Sequence, residues 1–422
     1  MNRVFNIPDT TTNKISYYHL ACFLILLPFD FFYSQLVLVS FALHSLMHCT
    51  KERLKELFSL PVLLPVAIYF ISVLTISYSI DKPEGFSIAG RQTAIFFMPV
   101  LFALNGLPLQ QYKKKLLTVF ALTCTGVIIY LYADAVHTIL YFHMPFSSLM
   151  STAFINHNFS LPVELHATYL SLYAAFSICI WIYYFLKQKV LLYRLLYALA
   201  IFILTAGLIQ LSSRAVVIAF ITIITIAVPV FLLRGKVRIL FVVMALLIIS
   251  CSFYFISNID AFKTRYISEL NNDLTKAAIS DEILEPRITR WHLAAALIKK
   301  SPFAGYGTGS EKKLLKEQYF NNKLYISYLN EFNVHSEYLS FMLRTGIAGL
   351  LLYLVVLGYG FVQSVRKKDF LFFSFLLLVA MVSVSENILD VNKGVFFYSF
   401  FLSFFLMIGK KELLNKGNSD IK

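Results

Sequence analysis

Charge is scarce in this chain: Asp, Glu, Lys and Arg make up 14% of 422 residues, while 58% are hydrophobic. Soluble globular domains carry about a quarter charged residues, so the scarcity excludes a water-soluble fold. Cysteine is sparse too. Cys22, Cys49, Cys124, Cys179 and Cys251 lie in or at the ends of apolar runs with no metal or redox spacing, and read as inert packing residues. None of the nine histidines has zinc-site spacing and no pair of aspartates suggests a divalent metal, so no metal and no cofactor is expected. The Gly305, Gly307, Gly309 cluster lacks the Gly-Lys-Ser/Thr ending and the preceding strand of a phosphate loop, and reads as a tight turn. Internal repeats, low-complexity segments and a cleavable signal pattern are likewise missing.

What is present is a succession of apolar runs near the roughly 20 residues needed to cross a bilayer. Twelve are read, at 16–31, 33–49, 58–78, 88–106, 115–139, 162–186, 192–211, 215–233, 238–256, 336–361, 369–385 and 394–409. Backbone groups in lipid must be paired within the segment, and no run shows the alternation of a barrel strand, so the runs predict helices. The expected fold is an all-α polytopic membrane protein. Residues 1–159 form an N-terminal group of five spans, 160–410 a second domain, and 411–422 a tail.

The formal net charge of +14 would suggest nucleic acid in a soluble protein, but its distribution gives another reading. Lys51, Arg53 and Lys55; Lys113, Lys114 and Lys115; Lys187, Lys189 and Arg194; Arg234, Lys236 and Arg238; Arg366, Lys367 and Lys368; and Lys410, Lys411 and Lys416 fall in every second loop. By the positive-inside rule those loops and both termini face the cytoplasm, and no nucleic-acid partner is expected. The same rule places the one long hydrophilic stretch, 257–335, between the ninth and tenth spans on the extracytoplasmic side, where it should contain short helices. Nucleotide sugars are absent there, so an enzyme acting on that side needs a lipid-borne, pre-activated donor.

Few polar residues near that side could carry chemistry. Arg214, in LSSRAVVIAF, sits between two runs with almost no loop: either it snorkels to the interface, or its planar guanidinium binds a phosphate, with Ser212 and Ser213 as further donors. In EPRITRWHLAAALIKKSPFAGYGTG, Pro286 opens and Ser301-Pro302 closes a short amphipathic helix on which Trp291, Ala295 and Ile298 recur at helical spacing. Arg287 and Arg290 share one face beside Trp291, as an anion site or as a surface attracted to headgroups. His335, at the loop's return to the membrane, is a candidate base for a sugar hydroxyl. Glu337 is a second candidate base or a counter-charge for the arginines. His166 and Tyr169 could line a sugar groove or simply pack, and Arg91 is a further anion partner or a snorkelling residue.

These elements, in this order, resemble the O-antigen ligase family. The match consists of SSR at 212–214, R-x-x-x-W at Arg287–Trp291, P-x-x-G-x-G at Pro302–Gly307, H-x-E-Y-L at His335–Leu339 and R-x-G-x-x-G at Arg344–Gly349, within residues 160–400. The resemblance implies an inverting, metal-independent glycosyltransferase of the bacterial inner membrane. Its donor would be an undecaprenyl-pyrophosphate-linked glycan and its acceptor lipid A-core oligosaccharide at the periplasmic face, with membrane lipids around it. It implies that Arg214 and Arg287 hold the donor pyrophosphate and that His335 acts as base or orients the acceptor hydroxyl. Arg290, Glu337, His166, Tyr169, Arg91 and Trp291 are the expected substrate-binding residues. The rival readings are an O-antigen polymerase, a protein O-oligosaccharyltransferase, or, from another class, a lipid transporter. The transporter lacks the inverted repeat and matched broken helices it would require.

Overall fold

The computed structural model describes residues 7–274 and 286–417. Residues 275–285 of the long loop and 418–422 of the expected tail lie outside them. Helices of nine or more residues are α1 Thr11–Leu26, α2 Phe31–Met47, α3 Leu60–Leu74, α4 Lys82–Leu104, α5 Leu109–Tyr141, α6 Ala167–Lys187, α7 Leu191–Leu211, α8 Arg214–Thr222, α9 Gly235–Ser257, α10 Arg287–Lys300, α11 Ser310–Asn321, α12 Glu337–Arg366, α13 Phe370–Val382 and α14 Asn392–Gly417. Among the described residues there is no strand.

All twelve apolar runs fall on helices, but the helices differ in reach. Among the described residues, eight are long and apolar enough to cross a membrane, or nine if the bent pair Phe31–Met47 and Lys51–Phe58 counts as one span. α13 and the apolar part of α14 are shorter, and α1 has 16 residues. Pro28 and Asp30 explain the first break, because the Asp30 side chain accepts from the Phe32 N–H at 2.7 Å and so starts α2 anew.

Two apolar helices meet opposite fates. α14 forms the axis, with Phe396, Phe397, Phe400, Phe401, Phe404 and Phe405 all buried. It stacks on α6, where Tyr173 and Phe397 ring centres lie 5.1 Å apart. α9 buries only 6% of its span and faces outward instead. A helix apolar on every side fits either a core or lipid, so packing partners decide which.

The basic loops collect at one end of the bundle. There Lys113 pairs with Asp369 at 2.5 Å, and Tyr184 donates to the Lys114 carbonyl at 3.2 Å. The opposite end carries the long loop, which is pinned to the bundle in two ways. First, α12 is kinked at Gly346 (φ 64°, ψ −163°). The carbonyls of Leu343 and Arg344 that the kink frees accept from the Tyr306 and Gly307 N–H groups at 2.8 and 2.9 Å, which satisfies a requirement that is severe away from water. Gly309 (φ 104°) then packs so tightly on the start of α4 that an added Cβ would lie 2.2 Å from the Asp81 carbonyl oxygen. The turn read from the Gly cluster is thus a backbone clasp.

The second pin is electrostatic. Arg344 is 6% exposed and its guanidinium is shared between Glu311, at 2.7 Å, and Asp390, at 2.5 and 2.6 Å. Glu311 also accepts from the Val334 N–H at 3.1 Å and the Ser340 hydroxyl at 2.7 Å. One buried cation therefore ties the start of α11, the end of the loop and the approach to α14.

Gly309→Ala should destabilise the protein by about 1–3 kcal/mol or more, since it combines a left-handed backbone with a clash against backbone atoms. A lowered melting temperature of the detergent-purified protein is the expected result; an unchanged one would show that the clasp is dispensable.

Candidate active site

Three chain segments start or turn at the same place. α7 closes with Ser212 in the left-handed conformation (φ 51°), which lets α8 begin at once with Arg214 as its first residue. Pro286 precedes α10, so Arg287 is that helix's first residue. A helix start already carries a positive partial charge; two cations at such positions suit an anion better than they suit either helix. His335 is left-handed as well (φ 50°), its N–H held by the Asn333 side chain at 3.1 Å.

The side chains meet in a chamber of two adjoining compartments, about 430 and 300 Å³, that share Thr168, Arg214, Arg265, Asp273, Arg287 and Glu386. His157, His166, Arg290, Phe332 and His335 complete the larger, and Trp291 the smaller. Cations and anions alternate across it. Arg214 Nη2 is 2.5 Å from Asp273 Oδ2, and the same oxygen is 3.7 Å from Arg287 Nε. Arg287 Nη2 lies 3.7 Å from Glu386 Oε1, and Glu386 Oε2 lies 3.8 Å from His335 Nδ1. Arg287 also donates to the Ser385 carbonyl at 2.9 Å, and Arg265 pairs with Glu269.

Electrostatics follow from this packing. Burial pushes the Glu386 carboxyl upward, but the adjacent His335 ring and the Arg287 guanidinium more than reverse it, holding Glu386 below its ordinary value. Burial lowers His166 to about 4, helped by His157, whose ring centre is 4.2 Å away. His166 is therefore neutral near pH 7. Its Nδ1 accepts from the Thr168 N–H at 3.3 Å, which leaves Nε2 as its proton-bearing atom.

The residues singled out from sequence are not all together. Arg214, Arg287, Arg290, His335, His166 and Trp291 line the chamber. Trp291 donates its Nε1–H to the Val334 carbonyl at 3.0 Å, and the Arg290 guanidinium lies 5.1 Å from the Phe332 ring centre. The fully buried positions of α10 are Arg290, Ala294 and Leu297, while Trp291 and Ile298 of the expected apolar face are half-buried and pack against the same cluster. Glu337 lies elsewhere. It is buried in the bundle and accepts from the Leu389 N–H at 2.8 Å, because the left-handed turn at His335 and the extended Ser336 send the two side chains apart. Tyr169, whose hydroxyl donates to the Asn387 carbonyl at 3.2 Å, and Arg91, paired with Glu84 at 3.2 Å, line a separate cavity. The Ser212 hydroxyl bonds back to the Ile209 carbonyl at 2.8 Å, and that of Ser213 reaches Thr168 at 3.4 Å, so both are engaged within the fold.

Sequence reading passed over Arg265, Asp273, Glu269 and His157. Arg265 had a signal: it is a further arginine in the same loop, four before Glu269, the spacing of a helical ion pair. Asp273 and His157 had none, since only the tertiary structure brings them to the arginines. Among the described residues, no group of three or more His, Cys, Asp or Glu side chains is arranged to hold a metal ion.

Asp273 fills the space between two guanidinium groups as an anion would. Asp273→Asn should therefore tighten binding of inorganic pyrophosphate to the detergent-purified protein several-fold, measured by calorimetry. Unchanged or weaker binding would show that this carboxylate orders the arginines instead of competing for them.

Residues 199–354 match a family model described as O-antigen ligase. No curated protein matches the chain. The matched segment runs from α7 into α12 and supplies Arg214, Arg265, Asp273, Arg287, Arg290 and His335 to the chamber. Over residues 199–354, this chain is therefore similar to the O-antigen ligase family.

Proposed function

We propose that this protein transfers a glycan from undecaprenyl pyrophosphate to lipid A-core oligosaccharide at the periplasmic face of the bacterial inner membrane. The observation that carries the reading is the gathering of four guanidinium groups, Arg214, Arg265, Arg287 and Arg290, with His335 around one chamber. Planar guanidinium forks match phosphate oxygens in pairs, and a pyrophosphate leaving group gains negative charge as its bond to the sugar breaks. Preorganised cations aimed at that charge stabilise the transition state more than the ground state.

A second feature supports a lipid-borne donor. An apolar groove of about 540 Å³ runs between α6, α7, α8 and α9, lined by Ile182, Leu208, Phe220, Met244 and Ile248 among others. Its lining includes Tyr266, whose neighbour Arg265 is in the chamber. A prenyl chain lying there would bring its pyrophosphate to the arginines. The outward-facing α9 forms one wall, so the groove has a side on which lipid can enter.

The step itself is an inverting displacement. The acceptor hydroxyl oxygen bonds to the anomeric carbon as the bond from that carbon to the phosphate oxygen breaks. The lipid pyrophosphate leaves with the electron pair, held by the arginines in place of a metal, and the hydroxyl proton passes to His335. With Nδ1 turned toward Glu386, Nε2 is the nitrogen left to accept it, and the ionised Glu386 favours the imidazolium that forms.

Arg214→Ala and Arg287→Ala should each lower glycan transfer by about 10²-fold or more, the usual cost of removing one such donor, while the protein still inserts in the membrane. Transfer near the wild-type rate in either variant removes that arginine from the mechanism. Glycan profiling of a deletion strain tests the acceptor. Unmodified lipid A-core with accumulated polymeric donor is the expected outcome; core bearing a single repeat unit would assign a polymerase, and intact lipopolysaccharide with an unglycosylated protein would assign a protein glycosyltransferase.

A further inference from the structure

The larger cavity, about 580 Å³, shares one lining residue with the arginine chamber, His166. Its volume lies within the roughly 300–1,000 Å³ of ordinary ligand sites, but its chemistry is unlike its neighbour's. Here the cations are compensated within the wall. Glu84 contacts Arg91 at 3.2 Å and Lys312 at 3.3 Å, and Arg344 is closed between Glu311 and Asp390. Such a wall has no surplus positive charge for a phosphate. Carboxylates set beside cations match sugar hydroxyls, which donate and accept at once.

Two further observations point to a ligand. Lys393 is 7% exposed and lines this cavity, yet its ammonium has no hydrogen-bond partner among the described residues; Arg91 Nε is in the same state. The Asp30 carboxylate is near it but accepts no hydrogen bond from it, and a buried ammonium whose donors are unfilled is costly unless something else satisfies them. Phe29 and Phe31, 37% and 44% exposed, also line the cavity. Their rings can take the apolar C–H face of a pyranose while its hydroxyls reach the charged pairs.

We propose that this second cavity is a saccharide chamber that binds the sugar residues of the acceptor, gripped by Lys393 and the Glu84, Arg91 and Lys312 group. The neutral His166 stands in the wall that both cavities share, where an acceptor hydroxyl passes toward His335. That the bound sugar is the acceptor rests on the transfer reading above; that a sugar binds here does not.

Binding to the full-length protein in detergent tests it without turnover, by calorimetry with core oligosaccharide released from lipopolysaccharide by mild acid. The expected result is that Lys393→Met and Glu84→Gln each weaken binding tenfold or more at an unchanged melting temperature. Lys312→Ala, whose side chain is 48% exposed, should weaken it several-fold, while Arg214→Ala leaves it intact. Core oligosaccharide bound equally by wild type and all three cavity variants overturns the chamber, as does transfer to core by a protein that none of the three impairs. Selective binding of lipid-free O-polysaccharide in place of core would overturn the acceptor assignment and give the cavity to the donor. If oligosaccharide binds through these residues but no glycosidic bond is ever made, the transfer reading fails and the saccharide chamber stands.

Discussion

The architecture of the site depends on one buried cation, Arg344, held between Glu311 and Asp390. Its three members come from the long loop, the kinked α12 and the link before α14. Removing one partner from such a group leaves an uncompensated charge in the interior, a cost of about 3–5 kcal/mol. Through the Val334 N–H, Glu311 also fixes the residue that precedes His335, and Asp390 lies four residues beyond Glu386. The loop and the bundle consequently behave as one scaffold. The clasp of Gly307 on Thr75 and Ser79, just past α3, and of Gly309 on the start of α4 acts in the same sense, through backbone packing instead of charge.

On that scaffold the protein builds two chambers of different character at one end of the bundle. In the first, cations exceed their counter-ions, and Asp273 and Glu386 stand between them as internal anions. The site is thereby stable without a ligand yet open to a stronger anion. In the second, Arg91, Lys312 and Arg344 are paired with carboxylates, and Lys393 has Asp30 nearby without a hydrogen bond to it. In the proposed transfer the first chamber takes the leaving pyrophosphate and the second the acceptor hydroxyls, with a histidine that burial keeps neutral between them. A transfer between two lipid-borne partners needs this kind of division, since each must present its sugar end to the same point without displacing the other.

Much of this was legible in the residues themselves. Arg214 and Arg287 attract notice because a cation placed at the first position of a helix runs against local preference, and His335 because it ends the one long polar stretch. Arg290 shows where reading stops. Its three-residue spacing from Arg287 was plain, but a periodicity count assigns the buried stripe to Trp291 and its partners. In the folded chain Arg290 is buried, with its guanidinium 5.1 Å from the Phe332 ring centre. Glu337 lies apart from His335 for a related reason. Two residues from His335 in sequence, it is separated from it by a left-handed backbone turn that composition does not reveal.

Sequence by itself determined that the chain is helical and membrane-embedded, which end of the bundle is basic, and which arginines stand at helix starts. These properties are local: they depend on hydropathy over about 20 residues and on the charges of adjacent loops. Only the tertiary structure decided that α14 is the core while the apolar α9 faces outward, that Arg265 and Asp273 join the arginines, and that Arg91 and Tyr169 belong to a second cavity. Those outcomes depend on contacts between residues tens to hundreds of positions apart, and an apolar helix or a lone charged side chain carries no mark of the partner it will meet.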